Sequence, residues 1–195
     1  MPTRSEHLKV ICLTGGPGAG KTAVADVLRK EFQSRVYVLP ETASLLYNGG
    51  FPRAENKLEL KRVQSAIYYV QKQAEALALG KKTKAQILLC DRGTLDCAAY
   101  FPGGLDDFLG EVGTTLKKEL SRYASVLHLE TPGAKMGYDF SNPVRTESPE
   151  EALKLDSKIQ KVWQPHKNRV VFKSQESFLD KVTEVVTWVR RELES

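Results

Sequence analysis

Long apolar runs, a cysteine framework and a strong charge bias are all missing from this 195-residue sequence. No stretch reaches the roughly 18 consecutive apolar residues of a membrane-spanning helix, so no such helix is predicted. The three cysteines are odd in number and scattered, which provides no disulfide framework and favours a reducing, cytoplasmic location. A content of 41% hydrophobic and 27% charged residues argues against a disordered or collagen-like chain.

The charge balance is mildly basic, with a formal net charge of +5. Such an excess suits an anionic ligand, but it is spread along the chain and falls short of a nucleic-acid-binding signature. Short basic clusters at 81–84 and 190–191 are usually solvated faces, and contact with an acidic membrane surface is the lesser alternative. The composition leaves the oligomeric state open.

Short apolar runs alternate with segments of helical period, which is the pattern of an α/β fold with a parallel sheet. Strands are predicted at Leu8–Thr14, Val36–Leu39, Ala85–Asp91, Ser125–Glu130 and Arg169–Phe172. Helices are predicted at Lys21–Phe32, Leu58–Leu79, Pro149–His166 and Ser177–Leu193, with a weaker one at Leu105–Arg122 that Gly110 and Gly113 interrupt. The length and this pattern predict one domain over residues 1–195.

Two segments carry no clear secondary-structure signal, Thr42–Asn56 and Thr131–Ser148. Long connections inside compact domains are often lids or binding loops, with disorder as the alternative. We treat both segments as functional candidates and the second, at about 131–148, as a lid.

A phosphate-binding motif directly follows the first predicted strand. The motif G-x-x-x-x-G-K-[ST] is met by Gly15, Gly16, Pro17, Gly18, Ala19, Gly20, Lys21 and Thr22. These eight residues and the following Ala23 are the predicted nucleotide-binding residues. Glycines allow successive backbone N–H groups to face phosphate oxygens at the helix N-terminus. In this Walker A loop, Lys21 would reach the β- and γ-phosphates and Thr22 would bind Mg²⁺.

Asp91 ends an apolar strand, as a Walker B carboxylate does beside a P-loop strand. With a P-loop upstream we expect it to hold Mg²⁺, directly or through water, and a helix-capping role is the alternative. Arg92 follows at once and would contact a phosphate or position the acceptor molecule, while a surface ion pair remains the rival interpretation.

Two further charged residues are candidates at the same edge of the predicted sheet. Glu41 lies just past the second strand and could receive the proton of an acceptor hydroxyl, or simply cap the next helix. Arg145 in the lid segment could neutralise transition-state charge, or remain solvated.

These motifs together resemble the P-loop kinases that include thymidylate and deoxynucleoside kinases. The chain resembles more closely the AAA-type ATPase-like family that includes the ribosylnicotinamide kinase domain of NadR. The pattern comprises the P-loop, residues 40–43, Asp91-Arg92-Gly93, and 155–156 with Trp163 and His166 downstream. The resemblance implies a P-loop NTPase fold, a three-layer sandwich with a five-stranded parallel sheet and a lid, and MgATP as phosphoryl donor.

The resulting prediction is an Mg²⁺-dependent phosphotransferase that moves the γ-phosphoryl group of ATP, or GTP, to a nucleoside- or nucleotide-like small molecule. The same family resembles trafficking proteins thought to bind GTP and phosphoinositide, so a nucleotide-dependent regulatory module with little catalysis is the alternative. The residues after Asp91 lack the D-x-x-G pattern of a GTPase switch.

Overall fold

The computed structural model describes residues 8–133, 148–174 and 177–195 and contains a five-stranded, fully parallel sheet. Its strands are β1 Lys9–Thr14, β2 Val36–Leu39, β3 Ile87–Asp91, β4 Ser125–Leu129 and β5 Arg169–Phe172. They lie in the order β2-β3-β1-β4-β5, which places β1 in the centre. The predicted fold class is confirmed, and the strands differ from the predicted ones by at most two residues at either end.

Eight α-helices connect and flank the described strands. They are α1 Lys21–Phe32, α2 Thr42–Asn48, α3 Lys57–Gly80, α4 Asp96–Tyr100, α5 Gly104–Glu111, α6 Leu116–Leu120, α7 Pro149–Trp163 and α8 Phe178–Glu194. None of the helices in the described ranges has both the length and the apolar character needed to cross a membrane.

The side chains of β1 alternate between two cores. Ile11 and Leu13 pack with α1 and α8 on one face of the sheet, while Val10 and Cys12 pack with α3, α4 and α7 on the other. A strand that is buried on both faces needs apolar residues at every position, which explains its continuous apolar run. The result is a three-layer α/β/α sandwich.

Two sequence-based assignments need correction. The weak helix expected over 105–122, with interruptions at Gly110 and Gly113, is two helices: α5 continues through Gly110, and the chain breaks before α6 at Gly113, whose φ is +66°. Thr115 then starts α6, because its side chain accepts a hydrogen bond from the Lys118 N–H. The segment 42–56, for which no structure was assigned, begins with helix α2.

The carboxyl ends of the strands converge at one edge of the sheet. After β1 the chain forms β2 and β3 on one side of that strand, and it then crosses to form β4 and β5 on the other side. In open α/β sheets this reversal leaves a crevice at the carboxyl ends of the central strands, and ligands bind there. The residues following β1, β2, β3 and β4 therefore meet in one place.

Gly93 occupies a position with no room for a side chain. A Cβ atom there would lie 2.7 Å from both the Cys12 Sγ and an atom of the buried Trp163 ring. We expect Gly93→Ala to lower the free energy of unfolding by about 1–3 kcal/mol, the usual effect of overpacking a core. Gly80→Ala is the matched control, since a Cβ at Gly80 meets no atom within 4 Å. Equal urea midpoints for the two variants would contradict this prediction.

Candidate active site

The P-loop joins β1 to α1, and three of its glycines, Gly15, Gly18 and Gly20, have a positive φ that favours glycine. Gly15 has φ +141° and Gly20 has φ +86°, and Cβ atoms at these positions would lie 2.1 Å from the Leu129 carbonyl oxygen and 2.3 Å from the Phe178 ring. Gly20 is the N-cap of α1 and provides no side-chain cap. The first N–H groups of the 12-residue helix are thus available to an anion.

Lys21 is held inside this loop. Its Nζ donates a hydrogen bond of 2.8 Å to the Gly16 carbonyl oxygen, and only 7% of the residue is exposed. Burial, followed by the charge of Arg92, lowers the pKa of Lys21 to about 8, against the opposing effects of Asp91 and Glu41. The buried Lys21 ammonium is therefore destabilised in the free protein, and the negative charge of a bound phosphate would offset that cost.

Thr22 and Asp91 lie next to each other, as the two motifs predict. The Thr22 hydroxyl donates to Asp91 Oδ2 at 3.3 Å, and Asp91 Oδ1 is buried with no hydrogen-bond partner among the described residues. Burial raises the pKa of Asp91 to about 6, although the charge of Lys21 opposes the shift. An unpartnered carboxylate oxygen beside a hydroxyl fits Mg²⁺, which is held by one or two carboxylates together with substrate phosphates and water.

Glu41 and Arg92 form an ion pair beside the loop, in which Arg92 Nε donates to Glu41 Oε1. Arg92 Nη1 also donates to the Gly15 carbonyl oxygen at 3.3 Å and lies 3.9 Å from Asp96 Oδ2. Although burial alone would raise it, the pKa of Glu41 falls to about 2 because of Arg92, Lys21 and the Ser44 hydroxyl. Glu41 is therefore an ionised hydrogen-bond acceptor over the whole physiological pH range.

Arg92 adopts a backbone conformation that is rare for a residue with a side chain, with φ +75°. Gln71 of α3 supports it, since its Nε2 donates to the Arg92 carbonyl oxygen at 3.2 Å and to Glu75 Oε1 at 3.0 Å. The side-chain oxygen Oε1 of Gln71 in turn accepts from the Thr42 hydroxyl at 2.5 Å. Helices α2 and α3 thus stabilise the unusual backbone conformation of Arg92 through these hydrogen bonds.

A pocket of about 230 Å³ opens between α1 and α2 beside these groups. Its lining includes Thr22, Glu41, Ser44 and Asp91. A small molecule in this pocket would lie against both the hydroxyl–carboxylate pair and the Glu41 carboxylate.

The fold therefore brings together Lys21, Thr22, Glu41, Asp91 and Arg92, as well as the loop Gly15–Gly20. Arg145, and the lid segment apart from residues 131–133 and 148, lie outside the described residues.

Asp156 and Asp96 had no role predicted from the sequence, although both contact the site. Asp156 accepts a hydrogen bond of 2.7 Å from the Gly16 N–H, and Asp96 accepts one of 2.6 Å from Thr14. The sequence did contain a signal for Asp156. It is the single carboxylate on the apolar face of α7 that Ala152, Ile159 and Trp163 form. A buried carboxylate on such a face needs donors, and here they come from the P-loop.

A parallel sheet with a glycine-rich loop between β1 and α1 is the P-loop NTPase fold, and this chain has it. A family model described as an AAA domain (AAA_28) matches residues 10–181, and the chain therefore belongs to that family. No curated protein matches the sequence.

Solved structures resemble this fold at low sequence identity. NadR in complex with NAD and AMP-PNP has a TM-score of 0.67 at 14% identity, covering 98% of this chain and 51% of that one. NadR in complex with NR has a TM-score of 0.69 at 15% identity with the same coverage. Deoxyadenosine kinase from M. mycoides with bound dATP has a TM-score of 0.64 at 11% identity, covering 93% of this chain and 99% of that one. The chain spans about half the length of NadR.

Proposed function

We propose that this protein is an Mg²⁺-dependent phosphotransferase that moves the γ-phosphoryl group of ATP to a nucleoside- or nucleotide-like small molecule. The observation that carries the proposal is the meeting of the P-loop, the Thr22–Asp91 pair and the Glu41–Arg92 pair at one edge of the sheet. The structures of NadR in complex with NAD and AMP-PNP and of deoxyadenosine kinase with bound dATP, which share this fold, support a nucleotide as the ligand.

On the donor side, the loop amides and Lys21 would hold the β- and γ-phosphates of ATP. Thr22 and Asp91 would hold Mg²⁺, which when bound neutralises charge on the phosphate oxygens. Arg92 presents a guanidinium beside the loop and would stabilise charge on the transferred group.

On the acceptor side, Glu41 would orient the attacking hydroxyl. The acceptor oxygen forms a bond to the γ-phosphorus, the bond from that phosphorus to the β–γ bridging oxygen breaks, and ADP leaves with the electron pair. The hydroxyl proton passes to Glu41. Phosphoryl transfer has a loose transition state, so the attacking hydroxyl needs a hydrogen-bond acceptor more than it needs a strong base. The ionised Glu41 carboxylate can fill that role despite its low pKa.

The direct test measures ADP release from MgATP across nucleosides, nucleoside monophosphates and nicotinamide riboside. We expect one acceptor class to stimulate turnover strongly and Glu41→Gln to reduce this stimulation about 10²-fold, the lower range for loss of a general base. Nucleotide affinity should change little. The exposed Glu55 supplies the matched control, Glu55→Gln. A flat panel with tight nucleotide binding would instead favour the regulatory module.

The buried Lys21 also predicts a pH dependence. Its pKa of about 8 in the free protein means that the ammonium loses its proton above that pH and with it the attraction for phosphate. We expect kcat/KM for MgATP to fall above about pH 8, with slope approaching one decade per pH unit. Thermal melts across the same range control for unfolding. A profile that stays level to pH 9.5 would show that Lys21 does not act in this way.

A further inference from the structure

Asp156 on α7 belongs to the sequence pattern that carries the family resemblance but had no role there, and both of its carboxylate oxygens have hydrogen-bond partners. Its Oδ1 accepts from the Gly16 N–H at 2.7 Å and lies 3.0 Å from His128 Nε2. Its Oδ2 accepts from Gln160 Nε2 at 3.2 Å. The residue is 5% exposed and fills a position on an apolar helix face.

These contacts fix the first half of the P-loop. The Gly16 N–H is committed to Asp156, while the Gly16 carbonyl oxygen accepts from Lys21 at 2.8 Å. Thr131, which follows β4, donates to the Pro17 carbonyl oxygen at 3.1 Å and lies 3.4 Å from Asp156 Oδ1. The packing is so close that a Cβ on Gly16 would lie 2.5 Å from the Thr131 hydroxyl.

The carboxylate gives the buried Gly16 N–H its acceptor. Removing that acceptor alone leaves the amide unsatisfied, which is costly, whereas an apolar residue would have served if this position of α7 had only to pack among Ala152, Ile159 and Trp163. Burial by itself would raise the pKa of Asp156. The interaction with His128 and the hydrogen bond from the Gly16 amide outweigh burial, so the pKa lies below its ordinary value. The ionised carboxylate is a stronger acceptor for the amide than a neutral group would be.

The same face of α7 also holds the loop after β3. Trp163, two turns after Asp156, donates from its Nε1 to Asp96 Oδ1 at 2.6 Å. Asp96 accepts further hydrogen bonds from Thr14 at 2.6 Å and from the Gly93 N–H at 3.3 Å. One rigid helix is thus bonded both to the P-loop and to the segment that carries Arg92.

We propose that Asp156 is a positioning residue for phosphate binding: by anchoring the Gly16 amide to α7, it holds the P-loop in the shape that receives a polyphosphate. The residue does not touch the reacting atoms. This inference rests on the proposed function, because it assumes that the P-loop binds a nucleotide.

The test compares Asp156→Ala and Asp156→Leu with Asp156→Asn, whose side-chain oxygen can still accept from Gly16. Glu150→Ala is the control, since it removes an exposed carboxylate from the same helix. Two measurements are made: the Gly16 amide proton shift by NMR without nucleotide, and the dissociation constant for Mg²⁺–AMP-PNP by calorimetry.

We expect the Ala and Leu variants to move the Gly16 amide resonance upfield and to weaken AMP-PNP binding about 10- to 100-fold, the range for losing a hydrogen bond to a charged group. Asp156→Asn should weaken binding by less than about tenfold, because it keeps an acceptor for the Gly16 amide but loses the charge. At saturating nucleotide and acceptor, kcat should fall much less than affinity, since the contact acts before chemistry.

Unchanged AMP-PNP affinity in a folded Ala or Leu variant would overturn the proposal. So would a failure of both variants to fold, because Asp156 would then serve the fold rather than the phosphate site. If the wild-type protein binds no AMP-PNP, the proposed function fails; the Gly16 resonance in the variants then shows separately whether Asp156 anchors the loop.

Discussion

Replacing Lys21 with alanine is expected to reduce kcat/KM for MgATP about 10³-fold, the upper range for loss of one preorganised charge-stabilising group. The Lys21 ammonium is buried within the loop and hydrogen-bonded to Gly16, so a bound phosphate would meet it with little competition from water. Steady-state kinetics with the stimulating acceptor provides the measurement. Lys30→Ala, which removes an exposed lysine of the same helix, is the control.

The same variant should keep its fold. The pKa of Lys21 lies below its ordinary value, so the folded protein binds this proton less tightly than the unfolded chain, and the charge destabilises the fold at neutral pH. The thermal midpoint of Lys21→Ala should therefore not drop. Full turnover in this variant would mean that the loop is not the phosphate site.

Replacing Asp91 with asparagine is expected to lower activity at limiting Mg²⁺ by about 10²-fold, because the neutral amide is a far weaker ligand for a hard divalent cation. Part of the loss should be recovered by raising the Mg²⁺ concentration. Titration of turnover with Mg²⁺ tests this, with Asp106→Asn on the exposed face of α5 as the control.

Stability should change in the opposite sense to activity in the Asp91 variant. Its folded-state pKa of about 6 lies above the ordinary carboxyl value, so ionising it at neutral pH destabilises the fold and removing the charge does not weaken it. A variant with an unchanged Mg²⁺ requirement would remove Asp91 from the metal site. A variant with normal Mg²⁺ dependence but a lower melting temperature would give Asp91 a structural role.

The sequence predicted those parts of the molecule whose information is local. The P-loop is one run of consecutive residues, and the strands are short apolar runs, so each can be recognised without knowing its neighbours. Helices α2, α4 and α6 have seven residues or fewer and were not predicted as separate elements. Helices of this length gain too little from their own hydrogen bonds to show a clear periodicity, and tertiary packing decides them.

The candidate site likewise combines features that the sequence predicted with features that only the tertiary structure shows. Strand ends alone predicted that Glu41 and Asp91 would lie at one edge of the sheet, because parallel strands place their carboxyl ends together. The ion pair of Glu41 with Arg92, 51 residues away, could not be read from the sequence, since it depends on β2 lying beside β3 and on the positive φ of Arg92.

By itself, the sequence determined the P-loop motif, the parallel α/β fold and the candidate residues Lys21, Thr22 and Asp91. Only the tertiary structure decided that Asp156 holds Gly16 across 140 residues of chain, and that Glu41 is paired with Arg92 and ionised in the free protein. The physical reason is that hydrogen bonds and pKa values depend on which groups folding buries against each other, and that proximity is set by strand order and helix packing.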